Sequence, residues 1–197
     1  MSVYELILRR RTIRRFKQQP VAWPVLEKLV NAARLAPSGG NLQPCEFIVV
    51  DEPELVVSVF TTLKWAAYIA PRGTPPEGER PTAYIVVLIN TEKRKSGGET
   101  DAAAAIMNII LMAQEEGLGT CWIGSVERER LQKLLAVPEY CIINAVVALG
   151  YPNESPVVED LTGSVKYWKD EQGTLHVPKR RLRDVLHRNG YEKKNTS

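Results

Sequence analysis

The apolar positions of this chain switch repeatedly between a spacing of three to four and unbroken short runs, so helices and strands interleave along its length. Ser2-Val3-Tyr4-Glu5 has the form of a capping box, and Val3, Leu6, Ile7 and Arg10 follow it at helical spacing. Trp23-Pro24 opens a second helix, with proline in the first turn where its missing N–H costs nothing. Leu26, Leu29, Val30 and Ala33 form that helix's apolar face, and Pro37-Ser38-Gly39-Gly40-Asn41 ends it in a turn. Phe47 to Val50 reads as a buried strand, and Pro53 starts a third helix carrying Val56, Val59, Phe60 and Leu63. Residues 71–81, rich in proline and glycine, break every register; a loop of that length in a compact domain is often a binding loop or lid.

Ala83 to Ile89 is the next buried strand, and 101–116 a helix with a run of small side chains from Ala102 to Ala105. After Gly117-Leu118-Gly119 come a strand over Thr120 to Ile123, a helix from about Glu127 to Leu135, and a long apolar strand from Cys141 to Leu149. A hairpin turning at Asp170-Glu171-Gln172-Gly173 and a last helix on Leu182, Val185 and Leu186 complete the chain. No internal repeat and no domain boundary is visible. The expected class is one α/β or α+β domain over residues 1–197.

Composition narrows this reading. A content of 44% hydrophobic and 25% charged residues belongs to a soluble globular protein, and no apolar stretch reaches membrane-spanning length. Glu5 and Arg9 interrupt the N-terminus before a secretory segment could form, so a cytoplasmic location is expected. Cys45, Cys121 and Cys141 are odd in number and widely spaced, which points to reduced thiols and to no disulfide frame or zinc site.

The net charge of +3 is too small for a domain built to coat nucleic acid. It is, however, concentrated in two runs, residues 9–17 and Lys179-Arg180-Arg181-Leu182-Arg183. In the first run, extended backbone would put Arg10, Thr12 and Arg14 on one face and Arg11, Ile13 and Arg15 on the other. Two forked cations flanking a hydroxyl suit a phosphate monoester; the same residues also suit a basic surface strand. In Pro37-Ser38-Gly39-Gly40-Asn41-Leu42-Gln43-Pro44, the glycines permit close backbone approach, while Ser38, Asn41 and Gln43 suit the polar edge of a flat heterocycle or a simple turn. Thr120 to Ser125 lead a strand into a helix, with Ser125 either near a ligand or only the helix cap. No phosphate loop, nucleophile elbow or zinc-protease motif occurs, and His176 and His187 stand apart from any nucleophile. An enzyme built from this chain would take its reactive atom from a cofactor.

Taken in order, these segments resemble the nitroreductase family of FMN-dependent NAD(P)H oxidoreductases. The matching stretches are Arg10-Arg11-Thr12-Ile13-Arg14, Pro37 to Pro44, Gly117-Leu118-Gly119-Thr120-Cys121-Trp122-Ile123-Gly124, and Val177-Pro178-Lys179-Arg180. Two departures are Cys45, where the family often has tryptophan, and Ala103-Ala104, where it often has Gly-Ile. The resemblance implies an α+β (α/β/α) fold, a mixed sheet flanked by helices, in an intertwined homodimer with two FMN sites at the interface. It implies that Arg10, Arg11, Thr12, Lys179 and Arg180 hold the FMN phosphate, and that Arg14 reaches the N1–C2=O edge of the flavin. Pro37, Ser38 and Asn41, with Gly39 and Gln43 in the same turn, would come from the other subunit, and Ile123 and Gly124 would offer backbone N–H groups to N5 and O4. Lys64 and Arg72 border a variable loop and carry no assigned role. Hydride would pass from NADH or NADPH through N5 to a nitroaromatic, quinone or related small-molecule acceptor by ping-pong kinetics, with no catalytic side chain, metal, nucleic acid or membrane involved. Reductive dehalogenation or flavin destruction on the same scaffold, and a small basic nucleic-acid-binding protein, are the alternatives.

Overall fold

The computed structural model describes residues 1–191 and divides the chain into two compact units, 1–154 and from Ser155 onward. The expected single domain over 1–197 therefore reaches past the described residues. The fold is α+β. In the first unit, strands β1 (Cys45–Val50), β2 (Ala83–Asn90), β3 (Gly119–Ile123) and β4 (Cys141–Gly150) form a sheet in the order β1-β2-β4-β3. All three neighbouring pairs are antiparallel. Among the described residues of this unit, parallel pairing appears at one isolated bridge, Thr12 to Thr120. The main body of the expected mixed sheet is thus antiparallel.

β2 lies at the centre, and all eight of its residues are buried. Its side chains alternate between faces, as a pleated strand requires. Tyr84, Val86 and Leu88 join a core with α3 (Pro53–Phe60) and α5 (Arg128–Leu134) through Val56, Val59 and Leu131. Ala83, Ile85, Val87 and Ile89 join a second core with α2 (Trp23–Arg34) and α4 (Gly98–Glu115) through Leu26, Leu29, Ala33, Ile106 and Ile109. This two-sided burial explains why β2 reads as a continuous apolar run. Helices cover both faces, the layering expected from the sequence.

The N-terminal helix α1 (Val3–Arg9) has the predicted capping box, with Ser2 and Glu5 bonding each other's backbone. Only Leu6 of α1 is buried; Val3, Tyr4, Ile7 and Leu8 stay exposed. The long loop after α3 contains a short 3₁₀ turn at Ala67–Ile69 and no other helix or strand before β2. In the second unit, β5 (Val157–Asp160) pairs parallel with β7 (Leu175–Lys179), and β6 (Trp168–Lys169) pairs antiparallel with β7 across the predicted turn. A one-turn helix, α6 (Leu182–Val185), follows.

Candidate functional site

The arginine run leaves α1 at Arg10, which caps the helix with extended ψ, and then lies along the edge strand β3. The Ile13 N–H donates to the Thr120 carbonyl at 2.8 Å, which fixes Thr12 and Ile13 against β3. Ile13 itself is buried in the core. A Cβ on Gly119 would come within 2.8 Å of three Ile13 carbons, so glycine at 119 is what admits this close approach. Phe16, fully buried, continues the contact by bridging to Pro152.

A carboxylate holds the backbone between these anchors. Glu154 accepts from the Arg14 N–H at 2.5 Å and the Arg15 N–H at 3.3 Å. The arginine side chains then divide. Arg15 pairs with Glu79, whose carbonyl also accepts the Phe16 N–H. Arg10 and Arg11, both half-buried, have no acidic partner among the described residues; Arg11 donates to the Arg10 carbonyl at 2.5 Å. Burial, and next the Arg11 charge, pull the Arg10 guanidinium below its ordinary pKa. Two adjacent, partly desolvated cations without a carboxylate favour an incoming anion.

β3 ends beside this segment. Past Thr120 its outer edge, through Gly124, has no strand partner among the described residues, and a Cβ on Gly124 would meet nothing within 4 Å. Open backbone therefore faces open space at Gly124, just past buried Ile123. Ser125 is not the cap of α5: that helix starts at Arg128 with Glu127 in the cap position. The Ser125 carbonyl instead accepts the Lys64 N–H at 3.0 Å, which brings exposed Lys64 to the end of β3. Below the strand, Cys121 is buried and its thiol is pushed up to about 11 by burial, against the opposing charge of Arg14. It is no nucleophile at neutral pH.

The Pro37–Pro44 turn is built elsewhere. Gly40, Asn41 and Gln43 have φ of 60°, 56° and 49°, and the Gln43 N–H donates to Ser38 Oγ at 3.0 Å. The Gly39 N–H donates to Asp101 Oδ1 at 3.0 Å, while Arg94 donates to Asp101 Oδ2 at 2.8 Å. A Cβ on Gly39 would lie 2.3 Å from the Arg94 guanidinium, so the turn sits directly on this ion pair. Pro37, Ser38, Gln43 and Cys45 border a cavity of ≈ 210 Å³. Asp101 belongs to the first turns of α4, whereas β3 begins just past the helix's other end. At 1.5 Å per residue, the turn and the arginine segment of one chain are separated by about 20 Å along α4.

Lys179 and Arg180 lie in the second unit. Lys179 ends β7, its carbonyl accepting the Leu161 N–H, and Arg180 donates to the Asp184 carbonyl at 2.5 Å. Sequence reading missed Asp101, Arg94, Glu79 and Glu154. Asp101 read only as a helix start, and a lone glutamate in a Pro-Asn-Glu-Ser loop gives no signal of a backbone clamp 140 residues away.

The sequence profile of the Nitroreductase family matches residues 7–151. An Archaeoglobus fulgidus protein provisionally named NADH dehydrogenase/NAD(P)H nitroreductase is 32% identical over 157 residues, covering 76% of this chain and 85% of the relative. Among solved structures, a protein of Parabacteroides distasonis with the same provisional name superposes with a TM-score of 0.72 at 25% identity, covering 96% of this chain and 98% of the other. An FMN-dependent nitroreductase from Clostridium difficile R20291 gives 0.66 at 25% identity, covering 94% and 98%. An arginine-rich segment clamped to an open sheet edge and a profile match across both cores lead to one assignment: the chain belongs to the Nitroreductase family.

Proposed function

We propose that this protein is an FMN-dependent oxidoreductase that accepts electrons from NADH or NADPH and delivers them to a nitroaromatic, quinone or related electrophile. One observation carries the reading. Arg10 and Arg11 form a half-buried cationic pair with no acidic partner among the described residues, held at the start of β3, the strand whose far end leads into exposed Gly124. The residues fit the cofactor. A dianionic phosphate suits two forked guanidinium groups beside the Thr12 hydroxyl, and a flat heterocycle suits an exposed strand edge that offers N–H groups. When bound, FMN supplies two-electron hydride chemistry at N5.

The chain's own residues do the rest. Arg10, Arg11 and Thr12 anchor the phosphate. Arg14, whose backbone Glu154 holds in place, supplies fixed positive charge to the N1–C2=O edge. Ile123 and Gly124 orient the opposite edge through backbone N–H groups. Pro37, Ser38, Gly39, Asn41 and Gln43 complete the site from a second copy of the chain. The span of about 20 Å along α4 supports that division, because one flavin ring is too short to touch both segments of the same subunit. Exposed apolar residues on α1 (Val3, Tyr4, Ile7 and Leu8) and Met107 on α4 give such a dimer something to bury.

The test is a visible spectrum. Protein purified with added FMN should retain the flavin bands through gel filtration and bleach under anaerobic NADH or NADPH. A nitroaromatic or quinone should then restore them, with parallel lines in double-reciprocal plots. Protein that stays colourless after incubation with FMN would refute the proposal.

A further inference from the structure

On the α3 side of the sheet lies a cavity of ≈ 300 Å³ that the proposed flavin site does not use. Much of its wall is apolar, formed by Pro53, Val56, Val57 and Phe60 of α3 together with Pro20 and Pro81, and Gln18 and Thr82 add polar groups. That volume is at the lower end of those that hold small organic ligands. Its polar content is unusual. Tyr84, fully buried on β2, lines the cavity, and its hydroxyl has no hydrogen-bond partner. Arg80 also lines it; its Nε is buried and without a partner, and its guanidinium stands 4.3 Å over the Phe60 ring. No carboxylate pairs with Arg80 among the described residues. Native proteins leave few buried donors unmade, and two beside one cavity need an explanation. The acidic side chains on its lining, Asp51 and Glu77, are exposed and screened by solvent, whereas the two donors are not.

We propose that this cavity is a second ligand site for a small aromatic monocarboxylate. The hydrocarbon ring packs against Val56, Val57 and Phe60, and the carboxylate accepts from the Tyr84 hydroxyl and the Arg80 Nε–H. Each group then finds what it lacks. A cation gains a counter-charge and a buried phenol gains an acceptor, in a setting dry enough to make both bonds strong. A neutral aromatic of the same size fills the same space and leaves the Arg80 charge uncompensated. The inference does not depend on the flavin reading, since it uses none of the proposed FMN ligands.

Sodium benzoate is the probe, titrated calorimetrically into the purified full-length protein with whatever cofactor it retains. Wild type should bind it saturably, and benzyl alcohol should bind at least tenfold more weakly. Tyr84→Phe should weaken benzoate binding about tenfold and Arg80→Gln should weaken it further, while Arg10→Ala should bind as wild type does. Tyr84→Phe removes only an unpartnered hydroxyl, so its melting temperature should equal or exceed that of wild type. The proposal fails if benzoate shows no saturable binding, or if Arg10→Ala loses it while the two cavity variants keep it. It also fails if Tyr84→Phe melts several degrees lower, which would show that the hydroxyl already has a structural partner.

Discussion

Arg10 and Arg15 sit five positions apart in one basic run, yet their surroundings set them opposite tasks. Arg15 is already taken by Glu79, whereas Arg10 is partly desolvated beside Arg11 and has no acid to answer it among the described residues. Arg10→Ala should therefore raise the FMN dissociation constant by roughly 10- to 100-fold, the worth of a lost charge-assisted bond of about 1.5–3 kcal/mol. Arg15→Ala should change it less than about threefold; fluorescence titration of the flavin distinguishes the two, and equal constants would contradict the division. Arg14 tests a different quantity. Neutralising it in Arg14→Gln should lower the flavin midpoint potential by roughly 30–60 mV, read by dye-coupled titration, because a fixed cation favours the more negative form. Extended-chain alternation separates Arg10 from Arg15 but would group Arg11 with Arg15, whereas Arg11 shares Arg10's lack of an acidic partner among the described residues. The partners Glu79 and Glu154 are not legible in the sequence either, since nothing in a local stretch announces a carboxylate arriving from 64 or 140 residues away.

Between elements, the clamp of the N-terminal segment on β3 depends on what Gly119 lacks. Gly119→Ala would press a Cβ to within 2.8 Å of Ile13, a residue buried in the core and unable to yield. Overpacking of this kind costs about 1–3 kcal/mol. Urea unfolding should show that loss, with weaker FMN retention beside it as Thr12 and Arg14 lose their register. The second unit carries a pH-dependent staple of its own. His176 on β7 lies 3.1 Å from Glu159 of β5 and 3.2 Å from Asp170, and it stacks on Trp168 of β6. The Asp170 hydrogen bond, followed by that of Glu159, lifts the imidazole above its ordinary 6.5. The Trp168 indole N–H holds Glu159 below 4.5, and the His176 bond and the Thr174 N–H together outweigh burial to keep Asp170 below 3.8. A raised folded pKa gives stability that is complete below 6.5 and is lost as pH rises through the folded value. The lowered carboxylates give stability that is lost on acidification through theirs. Amide protection factors in β5, β6 and β7, taken relative to intrinsic exchange at each pH, should thus be highest between about pH 5 and 6.5, and His176→Gln should remove the alkaline limb. The hairpin itself was legible from Asp170 to Gly173; the stacking of β5 against β7 was not, because parallel pairing joins residues distant in the chain.

At the scale of the molecule, the two polar segments of the candidate site stand at opposite ends of α4, so the proposed FMN site draws on two chains. Arg10→Ala and Asn41→Ala should each bind FMN poorly as homodimers. Refolded together, they should form a mixed dimer in which one site carries both defects and the other neither, and recover about one FMN per dimer. Two weak sites in every mixture would place both segments on the same side of the interface. Analytical ultracentrifugation with Tyr4→Glu or Met107→Arg should show dissociation and flavin loss together, since both residues are exposed apolar side chains on the helices that flank the site.

The sequence by itself determined the order and kind of the first unit's elements and the family they belong to, because helical spacing, buried runs, caps and glycine turns are local properties that each segment expresses wherever it is placed. It also determined which residue types could meet a phosphate or a flavin edge. Only the tertiary structure decided the neighbours. It spent the charge of Arg15 on Glu79 and left Arg10 and Arg11 without an acid among the described residues, seated the Gly39 turn on the Arg94–Asp101 pair, and set that turn a helix length away from the arginines. It also placed an unpartnered phenol beside an unpaired guanidine nitrogen in a cavity that no motif signals. The physical reason is common to all of these: the worth of a charge or a donor depends on what desolvates it and what answers it, and both are supplied by segments remote along the chain.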